Sequence, residues 1–285
     1  MANTIGTQVF REKYAMAKLA STLANNTVAN EICKVDTSEA KVIKSPYGSA
    51  PSVTVQALTG TYSPADFTLT NDSLTVTDEF IVSEHIMDFQ EVLSDFNLFK
   101  DRLDEMMTRA AVSIDRFVLN NLCEDGTGTY TTPAGGFATA ANVNDIFANL
   151  VAKVAGYSEA YYGNMFVVVE NTDMAGIIAA GATNGFNSAD AVIENGKVGR
   201  WMGVDIYVVR SGTFASETLG TTTYTNSGHR VFGVKGVATF AFPRTLQYEE
   251  KGVSGKTGKE VVVYGYIGFK LWAPKTDLIV DITLA

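Results

Sequence analysis

Histidine, cysteine and tryptophan occur only twice each in these 285 residues, proline only six times, and charged residues make up just 19 % of the chain. Each scarcity closes off a class of function. Cys33 and Cys123 lie far apart with no CxxC spacing, so neither a disulfide framework nor a zinc knuckle fits, and both read as small buried hydrophobes. His85, at a strand-to-helix junction, and His229, in a loop, sit in no HExxH or carboxylate-flanked pattern and read as ordinary polar surface rather than as metal ligands or general bases. No run approaches the roughly 18 apolar residues of a membrane span. Residues Met1 to Phe10 lack the charged and apolar regions of a secretory signal, so synthesis in a cytosol is expected.

Positive charge is also in deficit. Lys and Arg number 22 against 31 Asp and Glu, a formal net charge of −9. A broad grip on nucleic acid needs clustered cations. These are scattered, which leaves only weak, local contact with DNA, and the acidic balance mainly favours solubility.

The motifs that invite chemistry fail on context. Gly255 to Thr257 reads GKT, but a phosphate loop of the Walker type needs glycine where Glu250 stands, and it must open a helix where Val261, Val262 and Val263 follow instead. A glycine-rich hairpin tip fits better. No G-x-S-x-G elbow occurs, and the acidic pairs Asp104 with Glu105 and Glu249 with Glu250 read as solvated faces. No catalytic, metal-binding or cofactor-binding residue is assigned, and an enzyme is not expected.

What the chain has in quantity is apolar residue, 46 % of the total, with a mean hydropathy of +0.07. Its length suggests about two domains, and the surplus apolar surface points to burial in an oligomer. Residues 1 to 32 lean helical, with a thin stripe at Val9, Phe10, Leu19 and Leu23; such an arm needs something larger to lie along. From Lys41 to Val82 the period is two, through Val53 and Val55, Phe67 and Leu69, Leu74 and Val76, with breaks at Pro46, Pro51, Gly60 and Pro64. A two-stranded ribbon of that length is marginal alone and calls for support from a neighbouring subunit.

Asp95 to Leu122 gives the clearest helix, with apolar residues every three or four positions except for a last step of five from Phe117 to Leu122, and Gly126 as a left-handed stop. At about 40 Å it reads as a strut. The Gly, Thr and Pro-rich stretch 126 to 139 marks a domain boundary. An α/β pattern follows: helices capped by Asn142 and Asn171, strands at Met165 to Val169 and Gly199 to Val209, and a strand pair within Arg230 to Phe242. A long hairpin spans Thr245 to Ala273, and the last strand is Leu278 to Leu284.

This order, carried by KSPYGSAPSVTVQ, FKDRLDEMMTRAAVSIDRFVLNNL, GRWMGVDIYVVRSG and YGYIGFKLWAPKTDLIVDI, resembles the major capsid (coat) protein of tailed bacteriophages, the Hong-Kong-97-type fold. The resemblance covers nearly the whole chain. It implies an α+β fold with an N-arm (1–40), an extended β-hairpin called the E-loop (41–80), and a peripheral domain (81–139 and 241–274) holding a long spine helix (95–122). An α/β axial domain (140–240 and 275–285) completes it. It further implies self-assembly through hexamers and pentamers into an icosahedral or prolate shell around double-stranded DNA, with an encapsulin-like compartment as the alternative.

On the same resemblance, E-loop contacts between subunits would fall to Tyr47, Val53, Val55, Tyr62, Phe67 and Leu69, and contacts between capsomers to Lys251, Lys256 and Lys259 at the hairpin tip. Phe99, Leu103, Met106, Ile114 and Phe117 would form the spine-helix core. A portal, a separate scaffolding protein and decoration proteins are the implied partners; assembly is expected to be non-covalent, with no cofactor and no membrane.

Overall fold

The computed structural model describes residues 13–15, 17–19, 21, 27–38, 40–48, 58, 60, 68–86, 98–156, 163–183, 197–242, 247–255 and 257–285. Helical residues of the arm, 13–15 and 17–19, bury Ala15 and Leu19. A short helix α1 (Val28–Ile32) and strand β1 (Lys34–Asp36) follow. Strands β2 (Val42–Gly48) and β3 (Leu69–Thr75) then pair antiparallel, from Val42 opposite Thr75 to Gly48 opposite Leu69, as the base of a ribbon. β4 (Asp78–Ile86) leads to the long helix α2 (Leu98–Asp125), whose 28 residues span about 42 Å.

α2 ties two hydrophobic cores together. Leu103, Met106, Met107, Ala110 and Ala111 pack with the arm and with one sheet, whereas Ile114, Phe117, Val118, Leu119 and Leu122 belong to a larger core further along. Spacings of three and four keep one stripe facing inward through both. Gly126 does not supply the expected left-handed stop. A Cβ there would meet the Ile279 Cγ2 at 2.9 Å, so glycine serves the close approach of the helix end to the last strand.

The larger core surrounds a six-stranded sheet. β5 (Gly128–Thr131) lies within the stretch read as a boundary and forms an edge of that sheet. Then come α3 (Ala140–Ala155), β6 (Met165–Glu170), α4 (Met174–Thr183), β7 (Lys197–Trp201) and β8 (Val204–Val209). All of β6, MFVVVE, is buried, as befits a strand covered on both faces, and α3 adds Val143, Ile146, Phe147, Leu150 and Val154. The β7–β8 hairpin turns through Met202 and Gly203, both left-handed, which suits the twist of the flanking strands.

A small hairpin, β9 (Thr218–Leu219) with β10 (Thr222–Thr223), precedes β11 (His229–Val234) and β12 (Ala238–Ala241). β13 (Gln247–Gly252) and β14 (Lys259–Leu271) form the long hairpin, and a 3-10 turn, Ala273–Leu278, leads into β15 (Ile279–Thr283). The large sheet runs β5-β15-β11-β6-β8-β7. In the second sheet β14 pairs with β4, β13 and β12, and β12 pairs in turn with β1.

Three local expectations are corrected. β11 and β12 are not a pair, because the turn at Lys235 and Gly236 sends them into different sheets. Thr139, not Asn142, stands at the N-cap of α3, and the Asn142 amide donates instead to the Ala134 carbonyl at 2.9 Å. Asn171 opens a 3-10 turn whose cap is Glu170, in a reciprocal box with Asp173, ahead of α4.

Candidate interaction surfaces

The ribbon has two unlike faces. Strand alternation puts Ile43, Ser45 and Tyr47 of β2 with Leu74, Asp72 and Thr70 of β3 on the face toward the rest of the chain. Leu74 is fully buried there. The Asp72 carboxylate accepts from the Ala273 N–H at 2.9 Å and sits 3.4 Å from the Lys270 ammonium. Burial raises this acid, yet the N–H groups of Ala273 and Ser73 together with Lys270 outweigh it and hold the carboxyl below the usual range.

The opposite face carries Val42, Lys44, Pro46 and Leu69 and is exposed, Leu69 by 59 % and Val42 by 42 %. Tyr47 and Leu69, expected to act together, therefore point to opposite sides of the ribbon. Val53, Val55, Tyr62 and Phe67 lie outside the described residues; Leu58, midway between the two strands, is wholly exposed.

A second open surface is the outward side of the sheet β4-β14-β13. Its register brings Glu79, Ile81, Ser83 and His85 beside Glu260, Val262, Tyr264 and Tyr266, and these beside Gln247, Glu249 and Lys251. Ile81 is 60 % and Tyr266 39 % exposed. The inward residues, among them Val261 and Val263, pack in the core shared with the arm and α2. His85 thus lies within β4, opposite Glu260, not at a strand-to-helix junction.

Lys251 and Lys259 are both tied within the hairpin, the first along β13 and the second across to it from β14. Lys251 reaches Glu249 at 2.5 Å, which lowers the acid and raises the lysine, and Lys259 reaches Glu250 at 3.3 Å. Lys256 lies outside the described residues. Of the spine-helix residues, Leu103 and Met106 are buried in one core and Ile114 and Phe117 in the other. Phe99 falls in the first turn of α2, with its side chain outside the described set.

Several polar anchors carried no sequence signal, because each joins residues remote in the chain. Arg230 is buried between Asp173, 2.5 Å from its Nε, and Glu170, 3.2 Å from its Nη2, and Glu170 also accepts the N–H of Gly212 at 2.9 Å. The segment 211–228 crosses α2 as a strap: Asn120 donates to the Thr213 carbonyl at 3.0 Å, Arg116 reaches Glu217 at 2.5 Å, and Asp78 of β4 accepts the Thr221 N–H at 2.8 Å. His229 begins β11 rather than lying in a loop, with its Nδ1 2.8 Å from the Asp281 carboxylate. Cys33 and Cys123 are both buried free thiols. Among the described residues no group of three or more His, Cys, Asp or Glu side chains is placed to hold a metal ion.

No family model matches this chain, and no curated protein sequence does. Its structure is similar over nearly its full length to solved ones. The capsid structure of the cyanophage P-SCSP1u matches 92 % of this chain and 89 % of its own at 14 % identity, with a TM-score of 0.67. A chain of Mycobacterium phage Che8 matches 90 % and 91 % at 15 % identity and 0.67. The capsid of an empty GTA particle matches 90 % and 89 % at 15 % identity and 0.61. The fold is therefore α+β and shared with phage capsid chains.

Proposed function

We propose that this chain is a structural shell subunit, the major capsid protein of a tailed bacteriophage. It assembles through hexamers and pentamers into an icosahedral or prolate head around double-stranded DNA. The observation that carries the proposal is the match along nine-tenths of the chain to capsid structures. The two cores strung along α2 support a division into peripheral (81–139 and 241–274) and axial (140–240 and 275–285) parts, except that β5, paired with β15, goes with the axial sheet; an N-arm before residue 40 and an E-loop at 41–80 complete the reading. The subunit works as a wall component, in the virion, and not as a catalyst.

Assembly on this reading is multivalent: arm, ribbon and hairpin each add a modest contact, and closure of the shell sums them. The exposed ribbon face, where Val42, Pro46 and Leu69 lie beside Lys44, Asn71, Ser73 and Thr75, meets on this reading the outward face of β4, β14 and β13 on a second copy, where Ile81, Val262 and Tyr266 lie beside Glu79 and Glu260. Opposite charges set the register and apolar area supplies the affinity. A portal, a separate scaffolding protein, decoration proteins and weak local contact with packaged DNA complete the proposed partners; the joints are non-covalent.

Negative-stain microscopy of the purified chain, with scaffold where needed, tests this directly. Polyhedral particles are expected, and small discrete oligomers under every condition would overturn the assignment. Deleting Gly48 to Asp66 should leave a folded subunit that forms no closed shell; normal shells from that deletion would refute the role given to the ribbon.

A further inference from the structure

The strap 211–228 is held unevenly. At its roots the grip is deep: the Glu170 carboxylate accepts the N–H groups of Gly212 and Phe214, Phe214 is buried, and on the returning side Tyr224 and Asn226 are buried too. The Asn226 amide donates to the Asn120 carbonyl at 3.1 Å. The Tyr224 N–H closes on the Glu217 carbonyl at 2.8 Å, where Arg116 pins Glu217 to α2. Beyond that base the hairpin β9–β10 has only the pairs Thr222 with Leu219 and Thr223 with Thr218, too few to hold a position by themselves. Leu219 is half-buried, and the rest of 218–223 is exposed.

One side chain holds this tip. Asp78, at the start of β4 and itself buried, accepts the Thr221 N–H at 2.8 Å and the Thr221 hydroxyl at 3.1 Å. Its second oxygen accepts from the Thr77 hydroxyl at 2.8 Å. Among the described residues no other group outside the strap bonds to 218–223. Gly220 is left-handed, with φ of 62°, and a Cβ there would run into the Asp78 carboxylate, so only glycine lets the turn sit down on its anchor.

Beneath the tip is a part-open cavity of about 210 Å³, lined by Asp78, Phe80, Ile114, Phe117, Leu219 and Ile267. A void offers no partner atoms, so the tip gains little packing there. The cavity sits where α2 passes from one core to the other: Ala110, also on its wall, belongs to the smaller core, and Ile114 and Phe117 belong to the larger.

We propose that residues 218–223 are a flap, latched shut by Asp78, that swings on its base at Glu217 and Tyr224 while the roots of the strap stay fixed. Shut, the flap walls the seam between the two cores. Open, it admits water to Ile114 and Phe117 without unfolding either core. The seam is then where this chain gives first. The flap belongs to the single chain and stands whether or not copies assemble.

Thiol labelling of the full-length protein at neutral pH tests it. Ile114→Cys puts a thiol on the cavity floor, and the native Cys33 and Cys123, both buried, serve as internal references. Asp78→Ala should speed labelling at position 114 about tenfold or more, as expected for a lost hydrogen bond to a charged group, with the two reference thiols unchanged. Gly220→Ala, which blocks the seat from the other side, should do the same with Asp78 intact. An unchanged rate at position 114 in either variant, or an equal rise at all three thiols, would overturn the proposal. Should Ile114→Cys fail to fold, Leu219→Cys on the underside of the flap takes its place with the same expectation; should Asp78→Ala fail to fold, Gly220→Ala decides.

Discussion

Leu74 of β3 rests directly on Gly268 of β14: a Cβ added to that glycine would stand 3.1 Å from the leucine Cδ2 and 3.0 Å from the Val76 Cα. The ribbon is seated where one strand of the sheet has no side chain. Gly268→Val should push the ribbon base off β14 at a cost of about 1–3 kcal/mol. Thermal unfolding should show a modest loss with the fold retained, while particle formation falls sharply; unchanged assembly would show that the seat does not aim the ribbon.

The Asp72 carboxylate beside that seat should make ribbon anchorage sensitive to acid. Its proton affinity is lowered on folding, so its contribution is present above the ordinary aspartate value near 3.8 and is lost as pH falls through the lower folded one. Exchange of the β2 amides should quicken below about pH 4, and Asp72→Asn should remove that step.

Met106 is buried between α2, the arm and the sheet. Met106→Ala should cost about 2–5 kcal/mol in chemical denaturation. Met106→Asp should abolish soluble expression by burying an unpaired charge, and a well-folded aspartate variant would mean that this face opens to water.

Arg230 should be more costly to remove than to replace as a set. Arg230→Met leaves Glu170 and Asp173 buried without their cation, a loss of about 3–5 kcal/mol. Adding Glu170→Gln and Asp173→Asn should recover part of it in equilibrium unfolding. If the single variant is as stable as the wild type, the two acids have found other partners.

The sequence made period-driven features legible and left the coupled ones hidden. α2 was readable because its stripe repeats every three or four residues through both cores, and the ribbon because its strands alternate. The cap of α3 was misplaced by three residues, since asparagine at 142 satisfies a loop carbonyl that only the folded chain brings near. β11 and β12 looked like a hairpin because they are adjacent in sequence, but Lys235 donates its N–H to Asn164 and Gly236 donates to Ile32. Those long-range bonds separate the strands. Arg230 carried no pattern, because a buried charge is recognisable only beside the partners that make it tolerable, here Glu170 and Asp173.

β14 is a single unbroken strand of 13 residues. Its first half is flanked by β4 and β13, and its last four residues pair with β12, which pairs in turn with β1. A pull on the hairpin end near Lys259 is therefore carried along one covalent backbone, in shear across many hydrogen bonds, to the root of the ribbon at Gly268 and the segment that holds the arm. The chain has a tendon running through it, and force applied at one extremity is felt at the other two without any hinge between them.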